Sequence, residues 1–330
     1  MAAPAVRIVM LGTKDFALPT FQALLKTGHE VVALVTQPDR PQGRKQELIP
    51  SPIKQEAIRQ GVRVEQPEDV NAPEGVELVR SLRPDLLVTA AYGQILSAEL
   101  LGVPPMGGIN LHGSILPKYR GAAPVARAIQ RGETESGVTV ILMSPRVDAG
   151  GMIAVARTPI ARDETAGELE ARLARLGAPL IVEAIDALAA GSAEVIPQET
   201  AQATKAPKLR KDDGLIDWSR PAQDVHNLVR AMQPWPTAST HWHPSDPEKK
   251  PVRLIVHRSS VVEGQGEPGR VIVADASGSG PGLVVAAGSG AVRLWFVQVP
   301  GKKPMPVDAF LRGHAVRPGD LLGPESPALP

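Results

Sequence analysis

The chain has 330 residues, 43% of them hydrophobic and 3% aromatic, with a formal net charge of +1 and no cysteine. That length favours two domains, with cores built from Val, Leu, Ile and Ala rather than from rings. The missing cysteine excludes a disulfide framework, thiolate catalysis and Cys-ligated zinc, and the small net charge leaves any nucleic-acid contact to local basic patches.

Residues 6–11 read as a buried strand, followed by a Gly12-Thr13 turn and a helix through about residue 26. A second strand is expected over 30–36. A helix follows over 51–60, with Pro52 near its start and Gly61 closing it. A short strand over 62–65, a helix over 75–82 and an apolar strand over 86–91 continue the alternation. Strands alternating with helices predict an α/β fold with a doubly wound parallel sheet. A strand over 107–111 comes next. Pro124 then opens a helix over 125–130, and strands over 138–143 and 152–156 flank a loop. Leu169, Leu173, Leu176, Leu180, Ala184 and Leu188 recur at helical spacing, so that stretch is one long amphipathic helix. Residues 193–207 are polar and read as a linker. Beyond it, a helix over 222–232 precedes short β-branched runs at 253–256, 270–274, 283–286 and 292–297, a pattern that suggests a small β-barrel. Residues 277–290 read as a Gly/Ser-rich turn region, and Trp242 between His241 and His243 as a strand surface.

Nothing at the N-terminus has the pattern of a signal peptide, and no apolar run approaches the roughly 20 residues of a membrane span. A cytoplasmic protein with no membrane partner is therefore expected. The first βα turn is GTKDF, which lacks the Gly-x-Gly-x-x-Gly phosphate cradle, and no phosphate-binding loop occurs elsewhere. No NAD cofactor is expected. The histidines lack ligand spacing, so no metal is expected either.

Three residues stand out for chemistry. Asn110 and His112 are two apart on the strand that begins at 107, so their side chains share a face. Asp148 follows in the Gly-rich loop VDAGG, residues 147–151. An amide donor, an imidazole and a carboxylate converging on one pocket suit the movement of an acyl group. The strand lies late in the sheet, where ligands bind beyond the carboxyl ends.

The run NLHGSILPKYRGAAP, residues 110–124, closely resembles the signature of the folate-dependent formyltransferases. TQPDRPQGR (36–44) with PSPIK (50–54), IDWS (216–219) and RAMQPWP (230–236) resemble the members of that family that act on methionyl-tRNA. The resemblance covers nearly the whole chain, in order. It implies a Rossmann-like catalytic domain over 1–191, a linker over 192–207 and an OB-like, tRNA-binding domain over 208–330. It also implies transfer of a formyl group from 10-formyltetrahydrofolate to the α-amine of methionyl initiator tRNA, for translation initiation; a monomer is expected. Asn110, His112 and Asp148 match the family's catalytic trio. Asn110 then donates to the developing oxyanion, His112 stabilises the same oxygen or assists proton transfer, and Asp148 orients His112.

Tyr92, Gly93, Gln94 and Ile95 resemble the family's pterin-pocket segment, and Ser114, Ile115, Leu116 and Pro117 its tetrahydrofolate-binding loop. Arg40, Arg44 and Lys45 lie in the loop that reaches the tRNA acceptor end in the family. Lys205, Lys208, Arg210 and Lys211 add tRNA-binding cations from the linker side, and Lys249, Lys250, Lys302 and Lys303 from the barrel. Two departures from the pattern stand out: Lys45-Gln46-Glu47 where the family has Gly-Lys-Lys, and Ser144-Pro145-Arg146 ahead of Asp148. An amino-sugar formyltransferase, or a nucleic-acid-binding module with an inactive transferase domain, are the alternatives. The basic loop and the barrel argue against the first, the intact trio against the second.

Overall fold

A computed structural model describes residues 4–42, 47–246 and 248–326. Arg44 and Lys45 lie outside the described residues. The chain divides into two compact units. One comprises Met1–Pro124, Glu135–Thr158 and Glu170–Pro207, and the other Val125–Thr134, Pro159–Leu169 and Lys208–Pro330.

To residue 189 the elements run β1 (Arg7–Gly12), α1 (Leu18–Leu24), β2 (Glu30–Val35), β3 (Pro41–Gln42), β4 (Glu47–Leu48), α2 (Pro52–Arg59), β5 (Val64–Glu65), α3 (Pro73–Ser81) and β6 (Leu86–Ala90). They continue with α4 (Ala98–Leu101), β7 (Gly108–His112), α5 (Pro124–Gln130), β8 (Glu135–Leu142), β9 (Met152–Pro159) and α6 (Ala166–Ala189). Seven of the strands form one sheet in the order β5-β2-β1-β6-β7-β8-β9. The four residues Ile8, Val9, Met10 and Leu11 are fully buried, and so are Leu86, Leu87 and Val88. Burial on both faces is what central parallel strands require, and it is why these segments read as unbroken apolar runs.

From β1 the chain winds outward through β2 to β5, all parallel, then returns to place β6 and β7 on the other side of β1. The reversal leaves a crevice beyond the carboxyl ends of β1 and β6, where ligands bind in open α/β sheets. The parallel run ends at β7. β8 pairs with it antiparallel, setting Asn110 opposite Ile141 and His112 opposite Thr139. The helix α6 lies close to β7, because a side chain at Gly177 would meet Leu111 Cδ2 at 2.5 Å.

The second unit carries α7 (Ala222–Ala231), β10 (Ala238–His243), β11 (Val252–Val262), β12 (Val271–Ala274), β13 (Leu283–Ala286), β14 (Ala291–Gln298), β15 (Met305–Pro306), α8 (Val307–Gly313) and β16 (Leu321–Gly323). Its sheet runs β12-β13-β14-β11-β10-β16, with β15 on β14. Hydrogen bonds from Val271 N to Asp320 O (2.9 Å) and from Leu322 N to Gly269 O (2.7 Å) tie the two ends of that path together. The result is an antiparallel, nearly closed barrel around Val256, Leu294, Val297 and Phe310.

Trp242 corrects an expectation. It is not on a strand surface. It is 4% exposed and packs in the barrel core, its Nε1 donating to Asp320 Oδ2 at 2.8 Å. Only its neighbours His241 and His243 turn outward, as the two-residue period of β10 demands.

Candidate active site

The crevice at the carboxyl ends of β1, β2 and β6 is laced together by Thr13. Its Oγ1 donates to Tyr92 O at 2.9 Å and accepts from Gln37 N at 3.1 Å. Tyr92 follows Ala91, which is in the left-handed region at φ 44°, and precedes Gly93 at φ 101°. The backbone therefore turns sharply here, and Tyr92 folds inward. Among the described residues its Oη is buried with no hydrogen-bond partner, and so is Gln37 Nε2. Burial, reinforced by the Asp69 carboxylate, pushes the Tyr92 phenol well above its ordinary pKa. Gln94 is committed to the loop: Oε1 accepts from Val70 N and Nε2 donates to Glu68 O, both at 2.9 Å. Ile95 is exposed.

The loop leaving β7 is pinned by β8. Thr139 Oγ1 donates to Ser114 O (2.7 Å) and accepts from Leu116 N (3.1 Å), while Ser114 Oγ donates to Lys118 O (2.7 Å). Ser114 and Leu116 are buried, Ile115 is half-buried, and the Leu116–Pro117 peptide is cis.

Asn110, His112 and Asp148 meet. The carboxylate lies between the other two, with Oδ1 3.5 Å from Asn110 Nδ2 and Oδ2 3.5 Å from His112 Nδ1. Oδ2 also accepts from Gly121 N at 2.8 Å. The imidazole is buried, and its Nε2 donates to Tyr119 O at 2.9 Å, so each ring nitrogen faces an acceptor. The Asn110 amide is oriented by Thr89, whose hydroxyl donates to its Oδ1 at 2.7 Å and so turns the NH2 toward Asp148. Asp148 itself is left-handed at φ 49°, and Tyr119 at φ 63°. Three of the five non-glycine residues with positive φ, Ala91, Tyr119 and Asp148, thus flank this region among the described residues. Such backbone persists only where its surroundings over-determine it.

Residues outside the expected site supply that determination. Gln198 Nε2 donates to both Asp148 O (2.9 Å) and Gly150 O (2.7 Å), while its Oε1 accepts from Arg120 Nε (3.0 Å) and Nη2 (2.7 Å). Residues 204–206 run beside the loop after β7, with Arg120 N donating to Thr204 O and Ala206 N to Arg120 O. Gly121, at φ 124°, has no room for a side chain against Ala206 O. Arg120 and Gly121 stood inside the signature run. Gln198 carried no motif at all.

Of the expected cations, Arg40 is largely exposed, 4.0 Å from Glu68, and Lys205, Lys208, Arg210 and Lys211 are exposed. No helix among the described residues is long and apolar enough to cross a membrane.

Residues 6–185 match the formyl transferase family and residues 208–315 the formyl transferase C-terminal domain. The chain is 43% identical over 320 residues to the methionyl-tRNA formyltransferase of Moorella thermoacetica, covering 96% of this chain and 99% of that protein. It is 44% identical over 321 residues to that of Ectopseudomonas mendocina, covering 97% and 99%. Among solved structures, HypX from Aquifex aeolicus in complex with tetrahydrofolic acid aligns with a TM-score of 0.62 at 18% identity, over 93% of this chain and 47% of that one.

Proposed function

The chain belongs to the formyl transferase family, and from that premise we propose that it transfers the formyl group of 10-formyltetrahydrofolate to the α-amino group of methionyl initiator tRNA. The observation that carries this reading is the Asp148 carboxylate between Asn110 and His112 at the end of β7, in a chain that matches methionyl-tRNA formyltransferases along almost its whole length.

Attack by the amine forms a bond from nitrogen to the formyl carbon, places negative charge on the formyl oxygen, and ends with the bond to the donor nitrogen broken. The amine loses a proton and the donor nitrogen gains one. Asn110 has a fixed amide with N–H to spare for that oxygen, and such a donor is typically worth about 3 kcal/mol of barrier. His112, held between Tyr119 O and Asp148, serves the same oxygen or the proton transfer. Asp148 links the two and keeps the imidazole in register.

The folate is held by residues 92–95 and 114–117. The unpartnered Tyr92 Oη and Gln37 Nε2 fit a ring system with hydrogen-bonding edges, because each is a buried group whose partner a ligand would supply. Residues 1–191 carry the catalysis, 192–207 connect, and 208–330 hold tRNA. Arg40, Arg44, Lys45, Lys205, Lys208, Arg210 and Lys211 contact its phosphates.

The test supplies the full-length protein with 10-formyltetrahydrofolate and, in parallel, methionyl initiator tRNA, free methionine and an amino-sugar nucleotide. Formylmethionine released from the tRNA, with little product from the other two, is the expected result. Preferential formylation of the amino sugar would overturn the reading.

A further inference from the structure

Five cations and no carboxylate lie on three adjoining segments of the barrel. β11 carries Arg253 and Arg258, β14 carries Arg293, and the turn from β14 into β15 carries Lys302 and Lys303. Arg258 is answered by Glu168 at 2.5 Å, and the other four form no ion pair among the described residues.

Aromatic surface stands in the middle of this charge. β11 and β14 both change phase at the same point. Arg258 pairs with Phe296 and Ser259 with Leu294, so Trp295 is left without a residue opposite. Val292, Leu294 and Val297 face inward and are fully buried, while the consecutive Trp295 and Phe296 both face out, 41% and 44% exposed. A regular strand would send one of that pair into the core. A bulge re-aims side chains instead, and it does so here on both strands, since His257 and Arg258 also point away from the buried Val256 and Ser259. The indole is not loose. Trp295 Nε1 donates to Ser260 Oγ at 3.0 Å, and the Arg293 guanidinium stacks 3.7 Å from the ring centroid with Nη2 donating to Gly280 O at 2.9 Å.

An apolar protein partner has no use for the surrounding cations, and an acidic peptide has no use for ring faces. A nucleotide uses both: its base stacks on aromatic rings and its phosphate is drawn to the cations. We propose that the outer face around Trp295, Phe296 and Arg293 is a stacking platform for an unpaired nucleotide of the acceptor tRNA. The proposal rests on the acceptor assigned above.

The platform is tested in steady-state formylation with charged tRNA as the varied substrate. Trp295→Leu keeps an apolar side chain without an aromatic face, and Trp295→Phe keeps a face. Trp295→Leu raises KM for the tRNA about tenfold with KM for the folate unchanged, and Trp295→Phe stays near the parent, as expected for one lost base stack. Unaltered thermal unfolding shows that the exposed substitution has not disturbed the barrel. In a Trp235→Phe background, where Trp218 and Trp242 are buried, tRNA or a single-stranded oligonucleotide quenches the fluorescence of Trp295. An active enzyme whose tRNA KM ignores Trp295→Leu, or a Phe variant as impaired as the Leu variant, overturns the platform and leaves the acceptor standing. Self-association abolished by Trp295→Leu would make a second copy the occupant and likewise overturn it. Failure of the parent to formylate charged tRNA overturns the acceptor, and oligonucleotide quenching then decides the platform alone.

Discussion

Asp148 occupies the left-handed region at φ 49°, a conformation that costs a residue with a side chain of order 1 kcal/mol or more. The loop is held in it by Gln198, which bonds the carbonyls of both Asp148 and Gly150 and is itself braced by Arg120. Gln198→Leu removes both anchors while leaving the trio intact. Formyl transfer should then fall roughly tenfold to a hundredfold, mostly in kcat, because small misplacements of a catalytic group are costly. Wild-type kcat in that variant would mean the loop is held by other contacts. The pairing of Asn110 with His112 was legible in the sequence, since a spacing of two on a strand fixes a shared face. The part played by Gln198 was not. It lies 50 residues from Asp148 in a polar stretch with no periodicity, and only the fold brings it back. Thr89 escaped for the same reason: it reads as one more strand residue until β6 pairs with β7 and sets it beside Asn110.

At the scale of elements, the start of α6 is bound to β11 within the second unit. Arg258 hydrogen-bonds Glu168, and with a further bond from Thr165 N it holds the Glu168 carboxyl down to about 2, against an ordinary value of 4.5. A folded-state pKa below the unfolded one means that the unfolded chain binds more protons. The pair therefore stabilises the protein above about pH 4.5, and that contribution is lost as the pH falls toward 2. Glu168→Gln cannot titrate, so the stability gap between parent and variant should shrink across that window in chemical denaturation at stepped pH. A gap that stays constant from pH 5 to the acid limit would contradict the assignment. The central strands β1 and β6 were readable because burial on both faces leaves an unbroken apolar run. The antiparallel direction of β8 was not, since side-chain period carries no information on direction. Trp242 misled because its two histidine neighbours dominate the local polarity, whereas strand alternation sends the middle residue of the three inward.

For the molecule as a whole, the α/β unit and the barrel were both foreshadowed by the change from long mixed elements to short β-branched runs. The closure of the barrel depended on β16 and residues 269–271, whose brief segments carry no pattern strong enough to read. The proposed reaction rests its chemistry on the Asn110, His112 and Asp148 cluster beside β7. Its most direct test is single-turnover formyl transfer from 10-formyltetrahydrofolate to methionyl initiator tRNA by the full-length protein, the parent beside His112→Ala, with thermal unfolding as the control for folding. The account predicts formylmethionine from the parent and a rate at least about a hundredfold lower in the variant, with Asn110→Ala in addition costing little more because the residues act as a unit. Near-parental turnover in a folded His112→Ala protein would contradict it.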